Sequence, residues 1–397
     1  MVSKCRNLVL LLIFILSHQL LFAVEFNREI IVGAERFNKY VPMLEGKKVA
    51  VVANQTSICF GTHLVDTLLS MNVDIQHVFA PEHGFRGLAD AGAYVSNSKD
   101  PKTGLKVFSL YGKNKKPNYI QMEDLDVILF DLQDVGVRFY TYISTLHYMM
   151  EACAEYGVDL VVLDRPNPNG FYVDGPVLKE SFSSFVGLHP VSLVHGMTIG
   201  EYAQMINAEG WLHDEVQCEL KVVTCENYSH KDFYELPVNP SPNLPNMASI
   251  WLYPSLGLFE GTVVSVGRGT DFPFQQFGHP LLEGDHSFTP SSKLGASAPK
   301  LEGELCKGYD LRDFGMKEMP NQKSIYLNWI KLCYDELKGN EEFFLKNNFI
   351  NLLWGSSTLK DMLIEGKKPN EIKNSWAEEL AEFKSMRAKY LLYEDFE

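Results

Sequence analysis

The sequence contains little cysteine and lacks the short signatures of several common enzyme classes. Seven cysteines in 397 residues are too few for a disulfide scaffold. No G-x-G-x-x-G follows the first predicted strand and no Walker A sequence is present, so nucleotide binding lacks its usual phosphate-binding turn. No H-E-x-x-H, paired C-x-x-C or G-x-S-x-G occurs either. The main sequence signals for zinc peptidases, dithiol sites and serine hydrolases are therefore missing.

Basic residues are also scarce. The chain has 36 lysines and arginines against 50 aspartates and glutamates, which gives a net charge of −14. An acidic chain without a basic tract has no electrostatic footprint for nucleic acid or for an anionic membrane surface. We therefore expect no nucleic-acid partner.

Only the N-terminus has a long apolar run. Residues 8–16 are apolar, follow Lys4 and Arg6, and lead through a short polar step to residues 21–23. This order is typical of a secretory signal peptide, and the run is too short to span a bilayer comfortably. We predict that residues 1–23 are a signal peptide, with an uncleaved anchor as the alternative. Cleavage removes two basic residues and no acid, which leaves a charge of −16. The mature protein is then exported, periplasmic or secreted, without stable membrane insertion.

Apolar runs alternate with helical patterns through the first 165 residues. Two helices are predicted, one with Leu64, Val65, Leu68 and Leu69 on a single face, and one over residues 141–156. This alternation predicts an α/β fold with a mostly parallel sheet. The predicted strands, rich in β-branched and small apolar residues, are 48–54, 74–80, 106–110, 126–130 and 158–163.

The second half of the chain begins with a proline-rich stretch. Residues 236–254 contain five prolines, and such a stretch continues neither a helix nor a central strand. The length prior favours two domains, so we divide the mature chain into residues 24–247 and 248–397. In the second part we predict a strand over 261–267, loops over 275–284 and 293–300, and helices over 325–337 and 374–392.

Polar side chains follow the carboxyl ends of successive predicted strands. In open α/β sheets, ligands bind outside these strand ends. We therefore expect a ligand cleft at this edge of the sheet. The side chains concerned are Asn54, Glu82, Asp131, Asp134, Asp164 and Arg165.

The sequence F-A-P-E-H-G-F-R-G at residues 79–87 is the strongest candidate for a catalytic loop. It brings Glu82, His83 and Arg86 to the end of one predicted strand. Cleavage of a glycosidic bond needs a protonated acid at the leaving oxygen and usually a second carboxylate. Glu82 has apolar sequence neighbours, an environment that suits a general acid. A divalent ion held by Glu82, His83 and Asp131 is the alternative, although we predict no metal and no other cofactor.

The second catalytic group is predicted to be Asp131 or Asp134, and the other of the two to pair with Arg138 and hold a loop. Tyr140 and Tyr142 are candidates for stacking on a sugar ring. His195 follows another loop and is a further candidate for the cleft lining.

Four long motifs, in order along the chain, resemble the exo-β-N-acetylmuramidase family. They are A-P-E-H-G-F-R-G at 80–87, D-L-Q-D-V-G-V-R-F-Y-T-Y at 131–142, D-R-P-N-P at 164–168, and F-E-G-T followed by G-R-G-T over 259–270. The resemblance implies a Rossmann-like N-terminal domain, a smaller C-terminal α/β domain and an active-site cleft between them. It also implies release of N-acetylmuramic acid from the non-reducing end of peptidoglycan-derived glycans, with Glu82 at the position of the family's proposed catalytic acid. The last motif adds Glu260 and Thr270 to the candidate substrate-binding residues.

The lactyl carboxylate of N-acetylmuramic acid suits an arginine, which grips a carboxylate through two parallel hydrogen bonds. Arg138, Arg165 and Arg268 are the candidates, with Arg268 and Arg138 ranked first because each lies among glycines or at a strand end. Two other functions stay open, a metal-assisted hydrolase and a non-catalytic periplasmic glycan-binding protein.

Overall fold

The computed structural model describes residues 29–82, 84–86, 98–339 and 342–397. The predicted signal peptide at 1–23 and the candidate His83 lie outside the described residues. Within the described ranges, no helix combines the length and the apolar character needed to cross a membrane.

The strands fall into one large sheet and three small ones. In chain order they are β1 (Val49–Ala53), β2 (Ile58–Cys59), β3 (Thr62–His63), β4 (Ile75–Ala80), β5 (Ser98–Lys99), β6 (Lys106–Ser109), β7 (Val127–Asp131), β8 (Asp159–Leu163), β9 (Asp174–Val177), β10 (Ser192–Val194), β11 (Leu220–Val223), β12 (Gln276–His279), β13 (His286–Phe288) and β14 (Cys306–Asp310).

The α-helices connect these strands and fill most of the C-terminal third. They are α1 (Phe37–Tyr40), α2 (Leu64–Ser70), α3 (Tyr119–Met122), α4 (Tyr142–Tyr156), α5 (Ile199–Ala208), α6 (Met247–Leu256), α7 (Arg312–Lys317), α8 (Met319–Gln322), α9 (Asn328–Leu337), α10 (Phe349–Trp354), α11 (Thr358–Ile364), α12 (Pro369–Asn374) and α13 (Ala377–Arg387).

The large sheet has the order β11-β8-β7-β1-β4-β6-β5, and only the edge strand β5 runs antiparallel to its neighbour. The chain builds outward from β1 through β4 to β6, returns to the other side of β1, and continues through β7, β8 and β11. This is the order of a Rossmann-type sheet, with its switch point between β1 and β7. Every residue of β1 and β7 is buried, as expected for central parallel strands covered on both faces. The predicted α/β class is confirmed.

A smaller antiparallel sheet, β12-β14-β13, lies in the C-terminal part of the chain. One buried apolar cluster extends from the large sheet into this part and includes Ile128, Leu146, Leu252, Phe277 and Trp354. The two sheets therefore share a continuous core, which fixes the walls of any pocket between them.

The proline-rich stretch does contain a helix, contrary to the prediction. Pro254 lies inside α6 and has no N–H to donate to the carbonyl of Ile250, four residues earlier. The side-chain amide of Asn169 donates to that carbonyl instead, at 3.2 Å. A tertiary hydrogen bond thus replaces the missing helical one, and the sequence pattern alone could not indicate this.

Residues 261–267 do not form the predicted strand. Only isolated bridges, Thr262 with Phe344 and Ser265 with Gly278, occur there. The ammonium of Lys300 donates to the carbonyls of Thr262 and Val264, which leaves no regular ladder for a neighbouring strand. The predicted loop over 275–284 was also wrong in part, because it contains β12.

Cys218 and Cys225 are near each other in the sequence, but they have different partners in the fold. Cys225 donates to the carbonyl of Asp164 at 3.3 Å, whereas the thiols of Cys218 and Cys153 hydrogen-bond to each other. Cys153 and Cys218 are both buried. Burial raises the pKa of the Cys153 thiol, and its contact with Cys218 raises it further.

Candidate active site

A pocket of about 480 Å³ lies between the carboxyl ends of the large sheet and the C-terminal part of the chain. We call it the Glu82 pocket. One wall comes from loops of the large sheet and the other from segments around the small sheet. The wall on the sheet side contains Glu82, Tyr111, Phe139, Tyr140, Thr141, Tyr142 and Val186, and the opposite wall includes Tyr253, Glu260, Val264, Ser265, Val266, Arg268, Phe274, residues 295–300 and Phe349.

Glu82 reaches the pocket because β4 ends at Ala80 and Pro81 turns the chain away from the sheet. The hydroxyl of Thr141 donates to Oε2 of Glu82 at 2.9 Å. Thr141 is also the N-cap residue of α4, so the carboxyl group lies near the positive end of a fifteen-residue helix. The fold therefore holds this carboxyl group in place from a neighbouring element.

The surroundings of Glu82 differ from those expected from its sequence neighbours. Phe79 packs edge-on against His77, and Phe85 packs edge-on against His63. The hydroxyls of Thr141 and Tyr111 hydrogen-bond the Glu82 carboxyl. Burial raises the pKa of Tyr111, and the charge and hydrogen bond of Glu82 raise it further.

Glu260 and Arg268 form an ion pair on the opposite wall, with 2.8 Å between Arg268 Nε and Glu260 Oε1. The guanidinium also lies over the ring of Phe274, 4.8 Å from its centroid. Burial acts against the charge of Arg268, but Glu260 raises the pKa of the guanidinium above its ordinary value. Among the described residues, the buried Nη1 of Arg268 has no hydrogen-bond partner, while the side chain as a whole is 22% exposed and lines the pocket.

Two glycines shape the turn that carries Arg268. Gly267 and Gly269 have φ angles of +76° and +79°. A Cβ at Gly267 would lie 2.7 Å from the side chain of Gln276, and one at Gly269 would lie 2.5 Å from the carbonyl oxygen of Ser291. Other residues are excluded at both positions by conformation and by space.

Lys300 was missed by the sequence analysis, which assigned residues 293–300 to a surface loop. Its ammonium donates to the carbonyls of Phe259 at 3.0 Å, Val264 at 3.2 Å and Thr262. Burial lowers the pKa of Lys300 to about 8. One side chain thus fixes the backbone between Glu260 and Arg268, and only the folded contacts show this role.

The predicted aromatic residues Tyr140 and Tyr142 do line the pocket. Their rings meet edge to face, with centroids 4.7 Å apart, and both hydroxyls donate to the carbonyl of Pro240. Asn54 donates to the hydroxyl of Tyr142 at 2.7 Å. Asn54 is fully buried and supports the pocket wall from behind rather than lining it.

Asp131 and Arg165 form a buried two-pronged ion pair, with Arg165 nitrogens 2.6 and 2.9 Å from the two Asp131 oxygens. Asp131 has no exposed surface, and neither residue lines the Glu82 pocket. Arg165 also donates to the carbonyl of Ile58. The pair therefore ties strand ends together next to the switch point, and the geometry does not support the predicted roles in catalysis and substrate binding.

Asp134 is likewise buried behind the pocket. One oxygen accepts from the N–H of Gly136 at 2.6 Å and lies 3.8 Å from Nε2 of His195. Burial raises the pKa of Asp134 to about 7. Burial, and then the charges of Arg387 and Arg138, lower the pKa of His195 to about 3. Neither side chain lines the Glu82 pocket, so the geometry does not support their predicted roles there.

Arg138 does not pair with Asp134. Its guanidinium is buried and donates to the carbonyls of Pro176, Val191, Leu353 and Trp354. These four bonds use both terminal nitrogens, so Arg138 connects the β9–β10 hairpin to α10 and is not available for a ligand carboxylate.

Three other candidates have structural partners outside the pocket lining. Asp164 accepts from the Thr198 hydroxyl, from the N–H of Gly200 and from the Tyr393 hydroxyl. Arg86 pairs with Asp100 at 2.9 Å. The Thr270 hydroxyl donates to the carbonyl of Gly267 and helps to close the turn that holds Arg268.

We expect Asp134→Asn to change how stability depends on pH. The folded pKa of about 7 exceeds the ordinary value of 3.8, so the native state binds this proton more tightly than the unfolded chain. The free energy of unfolding therefore falls as the pH rises from about 4 to about 7, by at most about 4 kcal/mol. Thermal melts from pH 5 to pH 8 should show the variant gaining stability over the unsubstituted protein as pH rises. Asp313→Asn, at an exposed position, is the control and should follow the unsubstituted protein at every pH. If the stability of Asp134→Asn also changes with pH in parallel with that of the unsubstituted protein, the burial argument is contradicted.

Among the described residues, no group of three or more histidine, cysteine, aspartate or glutamate side chains is placed to hold a metal ion. His83, one of the residues named for a metal site, lies outside this set.

Comparisons with known proteins are consistent across sequence and structure. A family model described as the N-terminal part of the exo-β-N-acetylmuramidase NamZ matches residues 49–248, and its C-terminal counterpart matches residues 251–393. The peptidoglycan β-N-acetylmuramidase NamZ of Bacillus subtilis (strain 168) is 38% identical over 379 residues, which cover 89% of each chain.

Two crystal structures of DUF1343 family proteins from Bacteroides fragilis NCTC 9343 are similar in fold. The first has a TM-score of 0.86 and 43% identity, and the second has a TM-score of 0.77 and 28% identity. In both comparisons the match covers 92% of this chain and 99% of the other.

Proposed function

Because this chain belongs to the exo-β-N-acetylmuramidase family, we propose that it removes N-acetylmuramic acid from the non-reducing end of peptidoglycan-derived glycans. The observation that carries the proposal is that Glu82 lies on one wall of a small pocket and Arg268 lies on the opposite wall. A glycosidase needs an acid at the leaving oxygen, and this substrate also needs a partner for its lactyl carboxylate. Both groups face a pocket whose volume lies in the range of small-ligand sites.

Glu82 acts as the general acid. Its protonated carboxyl donates to the glycosidic oxygen while the bond from that oxygen to the anomeric carbon breaks, and water finally adds to the anomeric carbon. The Thr141 and Tyr111 hydroxyls can each donate or accept, so they hold the Glu82 side chain before and after it gives up the proton.

Glu260 is the second carboxylate of the pocket and takes the place that the sequence assigned to Asp131 or Asp134. Its ion pair with Arg268 holds the carboxylate in place, which suits a group that accepts a hydrogen bond from water or from the acetamido N–H. Two routes to the anomeric carbon use this arrangement, attack by water and attack by the 2-acetamido oxygen. The anomer released first, followed by proton NMR, distinguishes inversion from retention.

Arg268 binds the lactyl carboxylate through the part of its guanidinium that lines the pocket. An arginine already oriented by Glu260 and Phe274 loses little conformational freedom when a ligand binds. Lys300 adds a second positive charge to the same wall, and its hydrogen bonds to three backbone carbonyls fix the position of its ammonium.

A chelator separates this mechanism from a metal-assisted hydrolase. We expect hydrolysis of a chromogenic N-acetylmuramide to continue at an unchanged rate after dialysis against EDTA, because proton donation by Glu82 needs no cation. The N-acetylglucosaminide assayed in parallel should react far more slowly, since it lacks the lactyl group. Loss of activity that added Mg²⁺ or Zn²⁺ restores would favour the metal mechanism, and saturable binding without release of the chromophore would favour a binding protein.

We place the enzyme outside the cytoplasm, in cell-wall turnover. Support comes from the signal-like residues 1–23 and from the peptidoglycan named for the Bacillus relative. Sequencing the N-terminus of the protein recovered from the periplasm or medium tests this placement, with Val24 expected as the first residue.

A further inference from the structure

We propose that Tyr111 forms the subsite for the leaving sugar and also positions Glu82, an inference that rests on the function proposed above. Tyr111 is not part of any motif that the sequence singled out. Its position follows from strand register, because β4 and β6 pair in parallel with Ala80 opposite Ser109. Glu82 and Tyr111 each lie two residues beyond this pair, so the sheet delivers them side by side.

The hydroxyl and the ring of Tyr111 have different neighbours. The hydroxyl hydrogen-bonds Glu82, while the ring lines the pocket and is only partly buried. The ring of Phe185 supports it edge-on, with centroids 6.0 Å apart. One residue can therefore contact the catalytic carboxyl group and present an aromatic surface to a ligand.

Phe185 itself is committed to the protein. Tyr148 stacks parallel to its ring, and the Lys115 ammonium lies 4.3 Å from the ring centroid. The Ser144 hydroxyl also donates to the carbonyl of Phe185 at 2.7 Å. Phe185 is thus a rigid support, and Tyr111 is the aromatic residue of this group that lines the pocket.

The chemistry sets the direction in which the substrate lies. A general acid must reach the glycosidic oxygen, so the leaving sugar extends from the side of Glu82 rather than from the side of Arg268. Tyr111 hydrogen-bonds Glu82 and its ring lines the pocket, so we assign the ring to this path. An uncharged N-acetylhexosamine offers an apolar face of C–H groups that can stack on an aromatic ring. This sugar leaves with the proton that Glu82 donates to its oxygen.

Two substrates and two variants separate the roles of hydroxyl and ring. The disaccharide N-acetylmuramyl-β-1,4-N-acetylglucosamine fills the subsite, whereas β-N-acetylmuramyl fluoride has a leaving group too small to reach it. We expect Tyr111→Phe, which keeps the ring, to change kcat/KM less for the disaccharide than Tyr111→Ala does. Tyr111→Ala should lower kcat/KM for the disaccharide about tenfold more than for the fluoride, mainly through KM.

Tyr119→Ala is the matched control, because Tyr119 also bonds a glutamate, Glu123, but is exposed and does not line the pocket. It should leave both substrates unaffected. If Tyr111→Phe and Tyr111→Ala lose the same activity on the disaccharide, the ring contributes nothing, which would overturn the subsite and leave Tyr111 only as a support for Glu82 through its hydroxyl. Failure of the unsubstituted enzyme to cleave either substrate would contradict the proposed function itself, and this inference with it.

Discussion

Glu82→Gln should lower kcat for the disaccharide substrate by roughly 10³-fold, because glutamine has no proton to give to the leaving oxygen and general acid catalysis is worth about 10²–10⁴-fold. The substitution preserves shape, and the Thr141 hydroxyl can still donate to the amide oxygen at the position where it now meets Oε2. The loss should shrink to about tenfold for a 4-nitrophenyl glycoside, whose leaving group needs little protonation. Steady-state kinetics on the two substrates measure this difference.

The matched control is Glu304→Gln, an exposed glutamate of the C-terminal part that does not line the pocket. It should retain full activity on both substrates. Near-full activity of Glu82→Gln on the disaccharide would show that another group supplies the proton. An equal loss on both substrates would show that the substitution damages the pocket rather than removing an acid.

Arg268→Met should abolish the preference for N-acetylmuramides over N-acetylglucosaminides. The variant loses the guanidinium that we assign to the lactyl carboxylate, and a charged hydrogen bond left unmade costs about 2–3 kcal/mol, or roughly 10²-fold in kcat/KM. The rate on the glucosaminide should change little, since that sugar has no carboxylate to bind. The substrate preference of Arg268→Lys should lie between those of the unsubstituted enzyme and Arg268→Met, because lysine keeps the positive charge but not the forked guanidinium.

Arg312→Met provides a matched control in the same part of the chain. Arg312 also pairs with an aspartate, Asp310, and lies 4.1 Å from the ring centroid of a phenylalanine, Phe272, yet it is outside the pocket lining. It should leave the substrate preference intact. Equal losses on muramide and glucosaminide for Arg268→Met would assign Arg268 to the integrity of the wall, through Glu260, rather than to substrate recognition.

The central sheet could be predicted from local sequence because its strands are buried on both faces. The pattern over residues 48–54 predicts β1, and the pattern over 126–130 predicts β7 to within one residue. The helix predicted over residues 141–156 is α4, and Gly157 ends it with a φ of +68°. Where a tertiary contact replaces a local one, prediction failed. The bond from Asn169 keeps Pro254 inside α6, and Lys300 holds carbonyls that a strand would otherwise use.

The candidate site could be predicted in part, because local sequence locates the ends of the strands and the motifs that follow them. Strand ends identified Glu82, and the family motif identified Glu260 and Arg268, which share one pocket with it. Asp131 and Asp134 also follow a strand end, but their side chains point into buried contacts with Arg165 and Gly136. Sequence places a residue at the edge of a sheet but does not show which face of that edge opens to a ligand. Tyr111 and Lys300 were missed because register and long-range contacts bring them to the pocket.

The most direct test of the account is to identify the sugar released from a defined glycan. Short peptidoglycan-derived chains that begin with N-acetylmuramic acid, and matched chains that begin with N-acetylglucosamine, are incubated with the enzyme and their products are measured by mass spectrometry. We predict that free N-acetylmuramic acid appears from the first set alone, together with a chain shortened by one sugar. Internal cleavage fragments, or release of terminal N-acetylglucosamine at a similar rate, would contradict a pocket built to bind one terminal muramic acid between Glu82 and Arg268.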